Sequence, residues 1–90
     1  MKFYIKEDRW EDFEKNYENY GFKIDHHGDY DKYAGNGRRL FVYAHSREIT
    51  DLKIDYTTYW GYAYDGEYRH RTKTYIMDLI ADGYIEARRE

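Results

Sequence analysis

Tyr30-Asp31-Lys32-Tyr33-Ala34-Gly35, then Asn36-Gly37, then the run from Arg39 to His45 form the stretch on which the fold turns. Asn-Gly between two extended runs is a strong two-residue hairpin signal, because both residues tolerate positive φ. In the second run Leu40, Val42 and Ala44 point one way and Phe41 and Tyr43 the other. Apolar residues on both faces are the mark of a central strand. Residues 30 to 45 therefore predict a hairpin whose second strand lies inside a sheet.

Working outward, Lys2 to Ile5 alternates as a short first strand. Asp8 followed by Glu11 resembles a capping box, and Trp10, Phe13, Tyr17 and Tyr20 recur at helical spacing, with Gly21 as the stop. Phe22 to Asp25 reads as a strand and His26 to Asp29 as a turn, while Leu52, Ile54 and Tyr56 extend the sheet beyond the hairpin. Asp65-Gly66 is a second hairpin signal, setting Trp60 opposite Arg71, Tyr62 opposite Arg69 and Tyr64 opposite Glu67. Thr72 or Thr74 would cap a second helix with Tyr75, Ile76, Leu79 and Ile80 on one side, stopped by Gly83 before a last strand, Tyr84 to Ala87. The class is α+β: two helices packed on one face of a mostly antiparallel sheet of about five to six short strands.

Ninety residues suit a single globular domain spanning 1–90. Of the 41% hydrophobic residues, 13 are tyrosine, so the core must borrow tyrosine rings. Without cysteine the domain relies on packing alone, and without a long apolar run or a leader it is expected to be a cytoplasmic protein with no membrane association. The net charge of −3 is the wrong sign for a domain that binds by neutralising phosphates. Residues 1 to 37 carry 6 basic and 9 acidic side chains, whereas residues 38 to 90 carry equal numbers, so the acid is concentrated in the first third.

Two constellations point to binding. The segment 56–71 holds five tyrosines, a tryptophan and two arginines, residue types that dominate interface hot spots. Its candidate partner-binding residues are Tyr59, Trp60, Tyr62, Tyr64, Tyr68, Arg69 and Arg71. The competing reading makes Trp60 and Tyr62 part of the core under the second helix, with the arginine stems covering their edges. The other constellation is the acidic stripe Glu7, Glu11, Glu14 and Glu18, which on a regular α-helix falls within about 60° of arc with neighbours about 6 Å apart, near the spacing of nucleic-acid phosphates. A stripe of this kind could occupy a cationic groove, or simply be a solvated face with acid near a helix N-terminus.

Enzymatic chemistry finds little support. No nucleophile elbow, phosphate loop or zinc-protease motif occurs, and His26, His27, His45 and His70 lack ligand-pair spacing, so no metal or other cofactor is expected. His70 between Arg69 and Arg71, beside Tyr68, is the one arrangement that would combine acid/base and phosphate-clamp chemistry, as in small ribonuclease toxins. A second reading uses the aromatics as stacking platforms for nucleic acid or nucleotides, with Arg38, Arg39, Arg69, Arg71 and Lys73 on phosphates. A third is a homodimer formed through tyrosine-rich edge strands.

Tyr20-Gly21-Phe22-Lys23 and the run Asp78 to Glu86 (DLIADGYIE), with the Lys/Ile/Tyr/Asp/Glu-heavy composition, resemble short accessory proteins carried by phages and mobile elements of AT-rich Gram-positive bacteria. The resemblance implies a small non-enzymatic protein that binds and blocks a host protein, including bacterial defence machinery such as CRISPR effectors.

Overall fold

A computed structural model describes residues 2–35, 37–55, 63–67, 73 and 75–89, with backbone alone at 52–55 and 63–67. Its strands are β1 (Lys2–Ile5), β2 (Lys23–Ile24), β3 (Tyr30–Gly35), β4 (Arg38–Val42), β5 (Glu48–Asp55), β6 (Ala63–Glu67) and β7 (Ile85–Arg88), and every pairing between them is antiparallel. Six lie in the order β2-β3-β4-β5-β1-β7. The seventh, β6, shares one edge of the long β5 with β1: β1 takes Glu48 and Ile49, and β6 takes Leu52 to Asp55. The α+β class holds, with one strand more than the sequence led us to expect.

The hairpin forms, but its second strand runs Arg38–Val42 and stops short of the expected His45. β3 and β4 pair from Tyr30↔Val42 to Gly35↔Arg38, with a register shift between Tyr33 and Gly35 and positive φ at Gly35 and Gly37. β4 is central, flanked by β3 and β5, and its residues are buried or half-buried on both faces. The predicted strand Phe22 to Asp25 shrinks to Lys23–Ile24, because Phe22 turns into the core instead.

The Asp65-Gly66 hairpin does not form. Residues 63 to 67 run as one strand against β5, pairing Leu52↔Glu67, Lys53↔Gly66, Ile54↔Tyr64 and Asp55↔Ala63. Asp65 is the extra residue where the register shifts, so the turn dipeptide is absorbed as a bulge. Tyr64 thus faces Ile54 and not Glu67; the other expected pairs, Trp60 with Arg71 and Tyr62 with Arg69, lie outside the described residues.

Residues 7 to 20 are helical, but only Trp10–Asn16 (α1) is α-helix; Glu7–Arg9 and Tyr17–Tyr20 are tighter 3-10 turns. The expected capping box is missing, since no side chain caps the helical N-termini here. At the other end Asn16 Nδ2 donates to the Asp12 carbonyl at 2.9 Å, a side-chain competitor for an α-helical acceptor, just where the α-helix gives way. Gly21 then closes the segment at φ 85°, and Lys32 Cε would lie 3.3 Å from any β-carbon placed there. A second helix, α2 (Met77–Ala81), stops before Gly83 at φ 79°. It buries Leu79, with Ile76 buried just ahead of it, but Ile80 is exposed and does not share their face as the spacing suggested. Thr72 and Thr74, the expected caps, lie outside the described residues.

Both helices cover one face of the sheet. Register aligns Tyr30, Val42, Ile49 and Phe3 in a row across four strands, and on that row sit Phe13, Phe22, Leu79 and Tyr84. Phe13 is the hub, with ring centroids 5.0 Å from Tyr30, 5.6 Å from Phe22, 5.7 Å from Trp10 and 6.3 Å from Tyr84. Tyrosine does enter the core: Tyr30 and Tyr84 are buried, and Tyr17, Tyr20 and Tyr75 pack around them half-buried.

Candidate binding surface

Of the expected aromatic site, Tyr59, Trp60, Tyr62, Tyr68, Arg69 and Arg71 lie outside the described residues, as does His70, and Tyr64 is described by its backbone alone. The acidic residues are fully in view. Glu7, Glu11, Glu14 and Glu18 are all exposed, but they do not form one regular stripe. Glu7 and Glu18 belong to 3-10 turns, which advance about 120° per residue against about 100° in an α-helix, so only Glu11 and Glu14 keep the expected alignment. Glu7 lies 3.5 Å from Arg47 Nη1. Among the described residues no cation stands within salt-bridge reach of Glu11, Glu14 or Glu18.

Glu18 also lines a shallow open groove of about 430 Å³ with Tyr17, Gly21, Phe22, Lys23 and Ile24. Ile24, on the two-residue edge strand β2, is 52% exposed beside it. The acidic helical face therefore runs down into a partly apolar slot. No sequence signal beyond the short Phe22 to Asp25 run marked this groove, because it is created by Phe22 turning inward and leaving Ile24 outside.

Six basic side chains are engaged within the chain, while Lys15, Lys23 and Arg89 are exposed. Five cations each stand over an aromatic ring and beside a carboxylate. Arg9 lies 4.3 Å from the Tyr84 centroid and 3.7 Å from Asp12. Lys32 lies 5.6 Å from the Phe22 centroid and 3.9 Å from Asp78. Arg39 lies 5.8 Å from the Tyr33 centroid and grips Asp31 through two bonds of 2.8 and 3.0 Å. Arg47 lies 5.4 Å from the Trp10 centroid while also facing Glu7. Arg88 lies 4.0 Å from the Tyr4 centroid and 3.1 Å from Glu86.

A sixth, Arg38, is buried on the helix-covered face with Nη1 3.4 Å from Asp51, itself fully buried. Arg38 and Arg39, candidates for phosphate contact in the sequence, are thus engaged by carboxylates of their own chain. Lys73 is exposed. Such engagement neutralises these six cations locally, while residues 7–20 carry six carboxylates against Arg9 and Lys15.

The second face of the sheet carries a row of rings along β4 and beyond it, Phe41 over Tyr43 at 6.3 Å and Tyr43 near His45 at 6.0 Å. Its middle is closed, since Thr50 is fully buried and Phe41 nearly so, but Tyr33 at its margin is 54% exposed. Elsewhere, Tyr20 Oη donates to Asp82 Oδ2 at 2.5 Å, tying the end of the first helical segment to the end of α2. That bond, and then burial, push the Tyr20 hydroxyl above the ordinary phenol range. Among the described residues no three His, Asp or Glu side chains converge as metal ligands, and no helix is long and apolar enough to cross a membrane. Compared with family models, curated proteins and solved structures, the chain matches none.

Proposed function

We propose that the protein is a non-enzymatic binding module whose partner is another protein with a basic surface. The observation that carries this reading is a difference among its charges: Arg9, Lys32, Arg38, Arg39, Arg47 and Arg88 are held by the chain's own carboxylates, whereas Glu11, Glu14 and Glu18 stand exposed with no cation in salt-bridge reach among the described residues, next to a groove with an exposed Ile24. A complementary partner would present lysine or arginine to the helical face and one apolar side chain to the groove, and complementary charge of this kind speeds and orients association. Trp60, Tyr62, Arg69 and Arg71 are its proposed second contact. Inhibition of a host or defence protein by a phage-borne or mobile-element protein is the form of this reading that the accessory-protein resemblance favours.

Affinity capture from the cells that naturally make the protein tests it. A protein retained by the wild type should be lost by the triple variant Glu11→Lys, Glu14→Lys, Glu18→Lys, which leaves the core untouched. Retention of the same partner by that variant, or enrichment of nucleic acid in its place, would contradict the reading.

A further inference from the structure

β7 is an edge of the sheet. It pairs with β1 through Lys2↔Arg88, Phe3↔Ala87, Tyr4↔Glu86 and Ile5↔Ile85, and no described strand takes its other side. One hydrogen bond tells which of its backbone groups look outward. The Lys6 N–H donates to the Tyr84 carbonyl at 2.8 Å, so residues 6 and 84 occupy a hydrogen-bonded position of the ladder. Such positions alternate in antiparallel sheets. Glu86 and Arg88 therefore turn their N–H and C=O groups toward β1, while Ile85 and Ala87 turn theirs away from it, with Arg89 next in the same alternation. The side chains of Glu86 and Arg88 stand together on the second face, 3.1 Å apart and about half exposed.

We propose that β7 pairs antiparallel with β7 of a second copy of this chain, about a two-fold axis at Ala87. Two requirements select that register. Outward-facing residues must meet outward-facing residues, which permits only shifts of two along the strand. Among the permitted registers, the axis at Ala87 sets Glu86 against Arg88 of the second copy, and does so twice by symmetry. Moving the axis to residue 86 sets Glu86 against Glu86, moving it to residue 88 sets Arg88 against Arg88, and in-register parallel pairing also sets like charges side by side. In the chosen register the Glu86–Arg88 contacts fall at non-hydrogen-bonded positions, where facing Cα atoms approach to about 4.5 Å and side chains meet most closely. Each intrachain ion pair then joins its symmetry mate in a two-by-two cluster in which every charge has two neighbours of opposite sign, with the small Ala87 side chain at the axis on the other face.

Edge charges commonly guard a strand against unwanted pairing. Here they do so in the other registers and favour this one. The contact is small: about six backbone hydrogen bonds, and less area than the standard interface of about 800 Å² per partner. The dimer should accordingly form in the upper micromolar range.

Sedimentation equilibrium of the full 90-residue chain, from roughly 10 µM to 1 mM, tests the proposal. The wild type should shift from monomer to dimer across that range. Glu86→Arg and Arg88→Glu should each raise the dissociation constant by about 10-fold or more, and the double exchange of both residues should restore it. Ala87→Pro removes an outward N–H and leaves the β1 bonds intact, a placement that edge strands tolerate; it should abolish dimerisation with the far-ultraviolet circular dichroism unchanged. A wild type that stays monomeric to 1 mM, or a dimer indifferent to both the single charge reversals and Ala87→Pro, would overturn it. These outcomes depend on β7 alone and leave the acidic-face reading to its own test.

Discussion

Around Phe13, on the helix-covered side of the sheet, rings pack against rings, whereas Tyr33 and Tyr4 on the second face pack against arginines. Phe13 meets four aromatic neighbours and no solvent. Tyr33 meets Arg39, and Tyr4 meets Arg88, each arginine also held by a carboxylate. The same residue class thus does two jobs. Buried rings supply apolar area and exposed ones help to position charges that their own chain neutralises, and Tyr84 and Phe22 do both, under Arg9 and Lys32. The two regions should respond very differently to substitution.

The largest effect is expected from Phe13→Ala, which empties the hub of the ring cluster and should destabilise the domain by about 4 kcal/mol in denaturant melts. A loss below about 1 kcal/mol would mean that the core lies elsewhere. Arg38→Met removes a charged partner from the buried Asp51 carboxylate and should cost about 3 kcal/mol. Removing both charges with Asp51→Leu as well should recover much of that loss.

Tyr20→Phe breaks the bond to Asp82 that joins the two helical segments and should cost about 1 kcal/mol. It also has a pH signature. The folded state holds the Tyr20 hydroxyl above its ordinary value, chiefly through Asp82, and holds Tyr30 above it through burial. Both contributions are complete below the unfolded pKa of about 10 and disappear as pH rises beyond it. The wild-type Tm should therefore fall on titration above about pH 10, and fall less steeply in Tyr20→Phe. At the margin, Arg39→Ala should cost no more than about 1 kcal/mol, since the pair and ring contact it loses are partly solvated. The smallest shift is expected for Arg47→Gly: it relieves a φ of 64° and gives up the contacts to Trp10 and Glu7, so the two terms nearly cancel.

What could be read from the residues in order was local. The Asn36-Gly37 hairpin, the central strand after it, the stops at Gly21 and Gly83 and the ring spacing through Trp10, Phe13, Tyr17 and Tyr20 are all set by turn chemistry or periodicity. What could not be read depends on distant partners. Asp65-Gly66 is a good turn dipeptide, yet pairing with β5 outweighs it and leaves only a bulge. The Arg38–Asp51 pair spans two strands and has no sequence signature. The acidic residues were legible as a set, but their alignment was not, because a helix that changes pitch at both ends rotates Glu7 and Glu18 off the line. The groove beside Glu18 likewise follows from Phe22 choosing the core.

The account rests on Arg9, Lys32, Arg38, Arg39, Arg47 and Arg88 being held by carboxylates of their own chain while Glu11, Glu14 and Glu18 stay exposed. Fluorescence anisotropy with labelled single-stranded RNA and double-stranded DNA at about 50 mM salt, where phosphate contacts are strongest, tests that most directly. The predicted result is no binding tighter than about 100 µM, the weak end of non-specific affinities. Micromolar binding that weakens steeply by about 200 mM salt would contradict it, since the arginines would then be gripping phosphates in preference to their own carboxylates.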